Sequence, residues 1–194
     1  MENGLLFFYF FWIFWIIITF FMAKTKKRTV FAVFTLLCLA FGNIYIKFII
    51  PVSITYLILS SGLIVMQAKL SGMIYHFFCT FTISIGYAAM LSWEANTTIW
   101  LFTSREILIP FTIVCLSIFL TNGFYNRLFC GLFGLCIGEF LFKTFLYSIS
   151  FRETIGDMTF LDVIAVTIMF NIIVSFYTSV NRKIYSSITQ VVYK

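Results

Sequence analysis

Long apolar runs alternate with short polar joints along the whole chain. Runs over 5–23 and 30–42 flank the dense basic stretch Lys24-Thr25-Lys26-Lys27-Arg28, and the same rhythm continues beyond it. The runs are apolar on every side, and most reach about 17 residues or more, the length that crosses a hydrocarbon core. In lipid each backbone N–H and C=O must be satisfied inside its own segment, so such runs are helices. Barrel strands would instead alternate apolar and polar positions over about 10 residues. The pattern predicts seven spans, at 5–23, 29–43, 48–66, 73–91, 107–121, 128–148 and 160–180. Gly42-Asn43 reads as a turn, so the second and third spans form a tight helical hairpin. Pro51 and Pro110 fall in the first turn of the third and fifth, where the missing N–H costs little. No period of 20–50 residues repeats, and residues 1–194 read as one transmembrane domain.

Composition supports the same solvent. The chain is 62% hydrophobic, 10% charged and contains 27 Phe. A soluble domain carries about 25% charged residues and could not hide this much apolar surface. The first run lacks a basic leader and a small-residue cleavage site, so it is expected to be a retained helix. Cys38, Cys79, Cys115, Cys130 and Cys136 all lie inside apolar runs without CxxC spacing. They read as small buried hydrophobes, with neither a disulfide framework nor a metal site.

Charge then orients the bundle. With seven spans, Lys24, Lys26, Lys27, Arg28, Lys69, Arg127, Arg182, Lys183 and Lys194 share one side, and Lys47, Arg105 and Arg152 the other. The positive-inside rule makes the first side cytoplasmic, with Lys24, Lys26, Lys27 and Arg28 as the main determinants. The N-terminus is then outside and the C-terminus inside. Fusing the second and third spans would strand Lys69, Arg127, Arg182 and Lys183 outside, which favours seven spans over six. Asn96-Thr97-Thr98 is a glycosylation acceptor pattern on the outer side. Trp93, Trp100 and residues 99–102 suit the membrane interface. Residues 182–194 read either as a short interfacial helix or as a frayed end.

Few residues offer chemistry. Glu139 and Lys143 stand at i and i+4 in the sixth span, so they share a face and can pair. A charge at mid-depth costs about 2.5–3.5 kcal/mol on insertion scales, which marks the pair either as an ion or proton site or as an internal ion pair. Asn171 sits near the middle of the seventh span, and it or another polar side chain is expected to face Glu139 across the interface between the sixth and seventh spans. Gly131, Gly134 and Gly138 supply a close-packing stripe that should make the sixth span the most buried. His76 and Cys79 share a helix, but they lack the Gly-Gly-x-His stretch of the membrane endopeptidases of peptide quorum sensing. Glu153, Asp157 and Asp162 form a water-facing acidic patch. No phosphate loop, HExxH helix or GxSxG elbow is present, and the basic residues at the membrane edge favour anionic lipid headgroups rather than nucleic acid.

The opening Phe7-Phe8-Tyr9-Phe10-Phe11-Trp12-Ile13-Phe14-Trp15, then Thr19-Phe20-Phe21-Met22-Ala23-Lys24 and the basic stretch, resembles the YphA-like small membrane proteins of spore-forming Gram-positive bacteria. The resemblance is strongest over about the first 45 residues, and length and all-helical layout agree with it. It implies a bacterial plasma membrane and assigns no catalytic residue. The expectation is therefore an all-α polytopic bundle acting as a non-enzymatic scaffold or assembly component, without cofactor, in contact with lipid and other membrane proteins. A small transporter, or a substrate-binding subunit of one, using Glu139, Lys143 and Asn171 is the alternative. An intramembrane peptidase comes third.

Overall fold

The computed structural model describes residues 4–42, 44–47, 50–70, 72–96, 105–149 and 153–192, with side chains described except at 95–96 and 182–192. Seven helices follow in order: α1 (Leu5–Phe21), α2 (Lys26–Ala40), α3 (Ile54–Gln67), α4 (Met73–Asn96), α5 (Arg105–Leu120), α6 (Phe124–Ser148) and α7 (Met158–Val192). Among the described residues, α4 over Met73–Glu94, α6, and α7 over Met158–Asn181 are long and apolar enough to cross a membrane; α1 and α3 are shorter apolar helices. Asn43, Thr97, Thr98, residues 99–102, Arg152 and Lys194 lie outside the described residues.

Three expectations are corrected. Two short strands, β1 (Tyr45–Lys47) and β2 (Pro51–Ser53), separate α2 from α3. They pair antiparallel with Ile46 opposite Val52, so a β-hairpin stands where a bare turn was expected. Pro51 thus begins a strand. Its carbonyl accepts the Ile155 N–H at 2.9 Å, and Ser53 N–H returns a bond to Ile155 O at 3.0 Å. Proline is tolerated there because a strand-end position need not donate. Pro110 lies six residues into α5, beyond the first turn, because that helix already begins at Arg105. As far as Val192 the tail is neither frayed nor separate: α7 runs unbroken for 35 residues, about 50 Å at 1.5 Å per residue.

Joints fall at two ends. At one end the hairpin meets Ile155, and Asp162 of α7 receives the start of α1: Gly4 N–H and Phe7 N–H donate to its carboxylate at 2.6 and 2.7 Å. Gly4 adopts φ +93° with no cap of its own, so a carboxylate more than 150 residues away in sequence satisfies those orphan donors. Asp162 is therefore buried, at 1% exposure, rather than part of a water-facing patch. At the opposite end Thr25 caps α2 by accepting the Arg28 N–H at 3.4 Å.

α6 is enclosed along most of its length, burying eleven residues that include Arg127, Glu139 and Lys143. Its most extensive partner is α4. Glycine allows this approach. A Cβ at position 138 would stand 2.8 Å from the Ser84 carbonyl oxygen, and one at 134 would stand 2.6 Å from Ile83 Cγ2. Gly131 is different, since its nearest neighbour, Ser117 Cβ, would lie 4.0 Å away. The outward faces carry Phe77, Phe111, Phe119, Phe145 and Phe176, all well exposed, as a surface solvated by hydrocarbon requires.

Candidate functional site

Span six brings Glu139 and Lys143 together as their spacing predicts. Lys143 Nζ lies 3.9 Å from Glu139 Oε1, with the pair at 4% and 0% exposure. The ammonium also pairs with Glu153 and lies 3.7 Å from Asp157 Oδ2. Three carboxylates thus surround one cation. Glu153 is half exposed and Asp157 about a third, so the cluster runs from the joint between α6 and α7 inward to a fully enclosed carboxylate. Asp157 has a second task. Its Oδ1 accepts Phe160 N–H and Thr159 Oγ1–H, each at 2.8 Å, which caps α7.

Glu139 Oε2 accepts the Tyr87 hydroxyl from α4 at 2.9 Å. Its other oxygen, Oε1, is buried and makes no hydrogen bond, so it meets the ammonium through space alone. Tyr87 is fully buried and lies against Phe160 of α7, ring centroids 6.4 Å apart. The cluster therefore ties α4, α6 and the start of α7 at one level. Nearby, Arg105 Nε stands 3.3 Å from Glu94 Oε2, an ion pair joining the end of α4 to the start of α5.

Asn171 is not part of this site. Its side-chain oxygen accepts Arg127 Nε at 2.9 Å, and Arg127 lies twelve residues from Glu139 on α6, about 18 Å along the axis. Centring both helices in the bilayer sets Asn171 and Glu139 at equal depth. In fact α7 starts level with Glu139, so its middle meets the opposite end of α6.

His76 and Cys79 also part company. His76 is buried, with Nδ1 3.5 Å from Cys130 Sγ on α6, whereas Cys79 Sγ donates to Leu120 O at 3.4 Å. Gln67 Nε2 donates to Thr80 Oγ1 at 3.1 Å and approaches Cys130 Sγ at 3.7 Å. This group holds α3, α4 and α6 together at the end opposite the Lys143 cluster.

Tyr87 and Gln67 escaped sequence reasoning. Tyr87 is one of ten tyrosines, and nothing in its neighbours separates it from those facing lipid. The partners of Lys143 carried a faint signal, because Glu153 and Asp157 lie in the joint that follows α6. Among the described residues, no three His, Cys, Asp or Glu side chains are placed so that they could hold a metal ion. The arrangement can hold an ammonium rigidly, fasten a joint to two helices, and offer one buried carboxylate oxygen to a small cation or proton.

A family model described as YphA-like integral membrane protein matches residues 3–194. No curated protein and no solved structure matches.

Proposed function

From the premise that this chain belongs to the YphA-like integral membrane protein family, we propose that it is a non-enzymatic structural component of a bacterial plasma membrane. In this reading all seven helices span, with the N-terminus outside and the C-terminus in the cytoplasm. The short helices α2 and α3 reach the outer surface with help from the β-hairpin between them. The basic joints at Lys24–Arg28 and Lys69 meet anionic headgroups on the inner face, and the exposed aromatic faces meet lipid and neighbouring membrane proteins.

One observation carries the structural reading. The Lys143 ammonium is shared among Glu139, Glu153 and Asp157, so the costly buried charge is used to lock a joint. A buried pair of this kind is held by geometry and by every added partner. The unpartnered Glu139 Oε1 favours one second reading, a proton or small-cation carrier entered from the outer side. Reconstitution into liposomes separates the two. With a pH-sensitive dye trapped inside, the purified protein is expected to dissipate an imposed proton or sodium gradient no faster than empty vesicles. A faster flux that Glu139→Gln removes would replace the structural reading by the carrier one.

A further inference from the structure

One flank of the bundle is too short for an ordinary bilayer. α3 has 14 residues, and α2 has 15, beginning with Lys26, Lys27 and Arg28. At 1.5 Å per residue their apolar parts cover about 20 Å, against a hydrocarbon core of about 30 Å. α4 differs. Exposed apolar side chains recur along it from Met73 to Trp93, about 30 Å of helix.

The levels agree with the lengths. Gln67, the last residue of α3, donates to Thr80 Oγ1 at 3.1 Å. α3 therefore ends beside the seventh residue after Met73, where α4 begins, about 10 Å short of that start. The exposed Lys69 follows two residues later.

At the other end the hairpin does not make up the difference. Pro51 and Ser53 of β2 bond to Ile155, on the side away from β1. Their partners Lys47 and Tyr45 turn their own N–H and C=O groups the opposite way. Among the described residues nothing meets those groups. An open sheet edge does not occur in hydrocarbon, where no water can satisfy it. Lys47 is exposed on the same strand. A lysine can snorkel to water, but a backbone edge cannot. On this flank the apolar layer ends at the hairpin on one side and near Lys69 on the other.

We propose that the α2–α3 flank lies in a locally thinned bilayer and is an interaction surface for phospholipids with short acyl chains. A span shorter than the hydrocarbon is met by thinning the bilayer, and tilting the helices would only shorten their reach. The assignment rests on the reading that α2 and α3 cross the membrane, and adds which lipid they meet.

Proteoliposomes test this with bimane attached to cysteines placed at exposed sites, the labelled wild type serving as blank. Val65→Cys reports from the α3 side and Phe81→Cys from the α4 side. In an equimolar mixture of dimyristoleoyl-phosphatidylcholine and brominated dierucoyl-phosphatidylcholine, the long brominated lipid should quench Val65→Cys less than Phe81→Cys. In dioleoyl-phosphatidylcholine, iodide present on both sides should quench Lys69→Cys and spare Phe77→Cys. Those two residues lie at similar depth, two positions beyond Gln67 and three before Thr80. Equal bromine quenching at the first two sites overturns the proposal. So does a Lys69→Cys dye as shielded as the one at Phe77→Cys. Impermeant maleimide on intact cells tests the crossing of α3 separately. Ile46→Cys and Lys69→Cys reached from the same side would end the crossing and the proposal with it. Reached from opposite sides, they uphold the crossing, and a failed quenching contrast then removes the thinning alone.

Discussion

Lys143→Ala should be among the most damaging single substitutions in this protein. Removing the ammonium leaves Glu139 enclosed with only the Tyr87 hydroxyl for company, while Glu153 and Asp157 lose the cation that holds their joint against α6. Stripping one partner from a buried pair costs about 3–5 kcal/mol, which lowers the melting temperature by something on the order of 10 °C for a chain of this size. Thermal unfolding in detergent, followed by size-exclusion chromatography of the surviving monodisperse fraction, reads this directly. The complementary experiment removes the charges together. Lys143→Met combined with Glu139→Leu and Tyr87→Phe replaces the polar core by apolar groups of similar volume and strands no buried partner. That triple variant should melt within about 1 kcal/mol of the wild type or above it, as such exchanges do elsewhere. A triple variant as unstable as Lys143→Ala would show that the loss came from packing rather than charge.

Gly138→Leu is the second large effect. Its first added carbon would stand 2.8 Å from the Ser84 carbonyl oxygen and 2.8 Å from Tyr87 Cδ1. The first of these is backbone of α4, so relief requires moving the helix. Overfilling a packed site costs about 1–3 kcal/mol and sometimes more, and here the shift also pulls the Tyr87 hydroxyl from Glu139. Little folded protein should reach the membrane fraction. Gly131→Ala is the control, since 4.0 Å to Ser117 Cβ leaves room for a methyl group; it should stay within about 1 kcal/mol of the wild type. Equal abundance of Gly138→Leu and wild type would mean that α4 and α6 do not touch as described.

The sequence was most legible where single helices decide the outcome. Seven helices appear close to the predicted spans, the Glu139–Lys143 pair follows from i,i+4 spacing, and Gly134 and Gly138 lie where α4 comes close. Contacts between helices were less legible. A helix surrounded by lipid is apolar all round, so its periodicity does not say which face meets a neighbour. Equal depth and the adjacency of consecutive helices pair Asn171 with Glu139, but the axial offset gives it to Arg127. Cys130 read as one small hydrophobe among five, although it faces His76 across two helices. The hairpin between α2 and α3 rests on strands of three residues each, too short for an alternating pattern to show.

The whole arrangement turns on which end of the bundle faces which compartment. Cysteine substitutions at Ile149, Lys69 and Asn122, all exposed joint positions, read with a membrane-impermeant maleimide on intact cells, test this most directly. Four of the native cysteines are buried and the fifth is half-buried, which keeps background low. Ile149→Cys should be labelled from outside, and Lys69→Cys and Asn122→Cys only after the cells are opened. Labelling of Lys69→Cys or Asn122→Cys on intact cells, with Ile149→Cys protected, would contradict the seven-span orientation and place the Lys143 cluster on the cytoplasmic face.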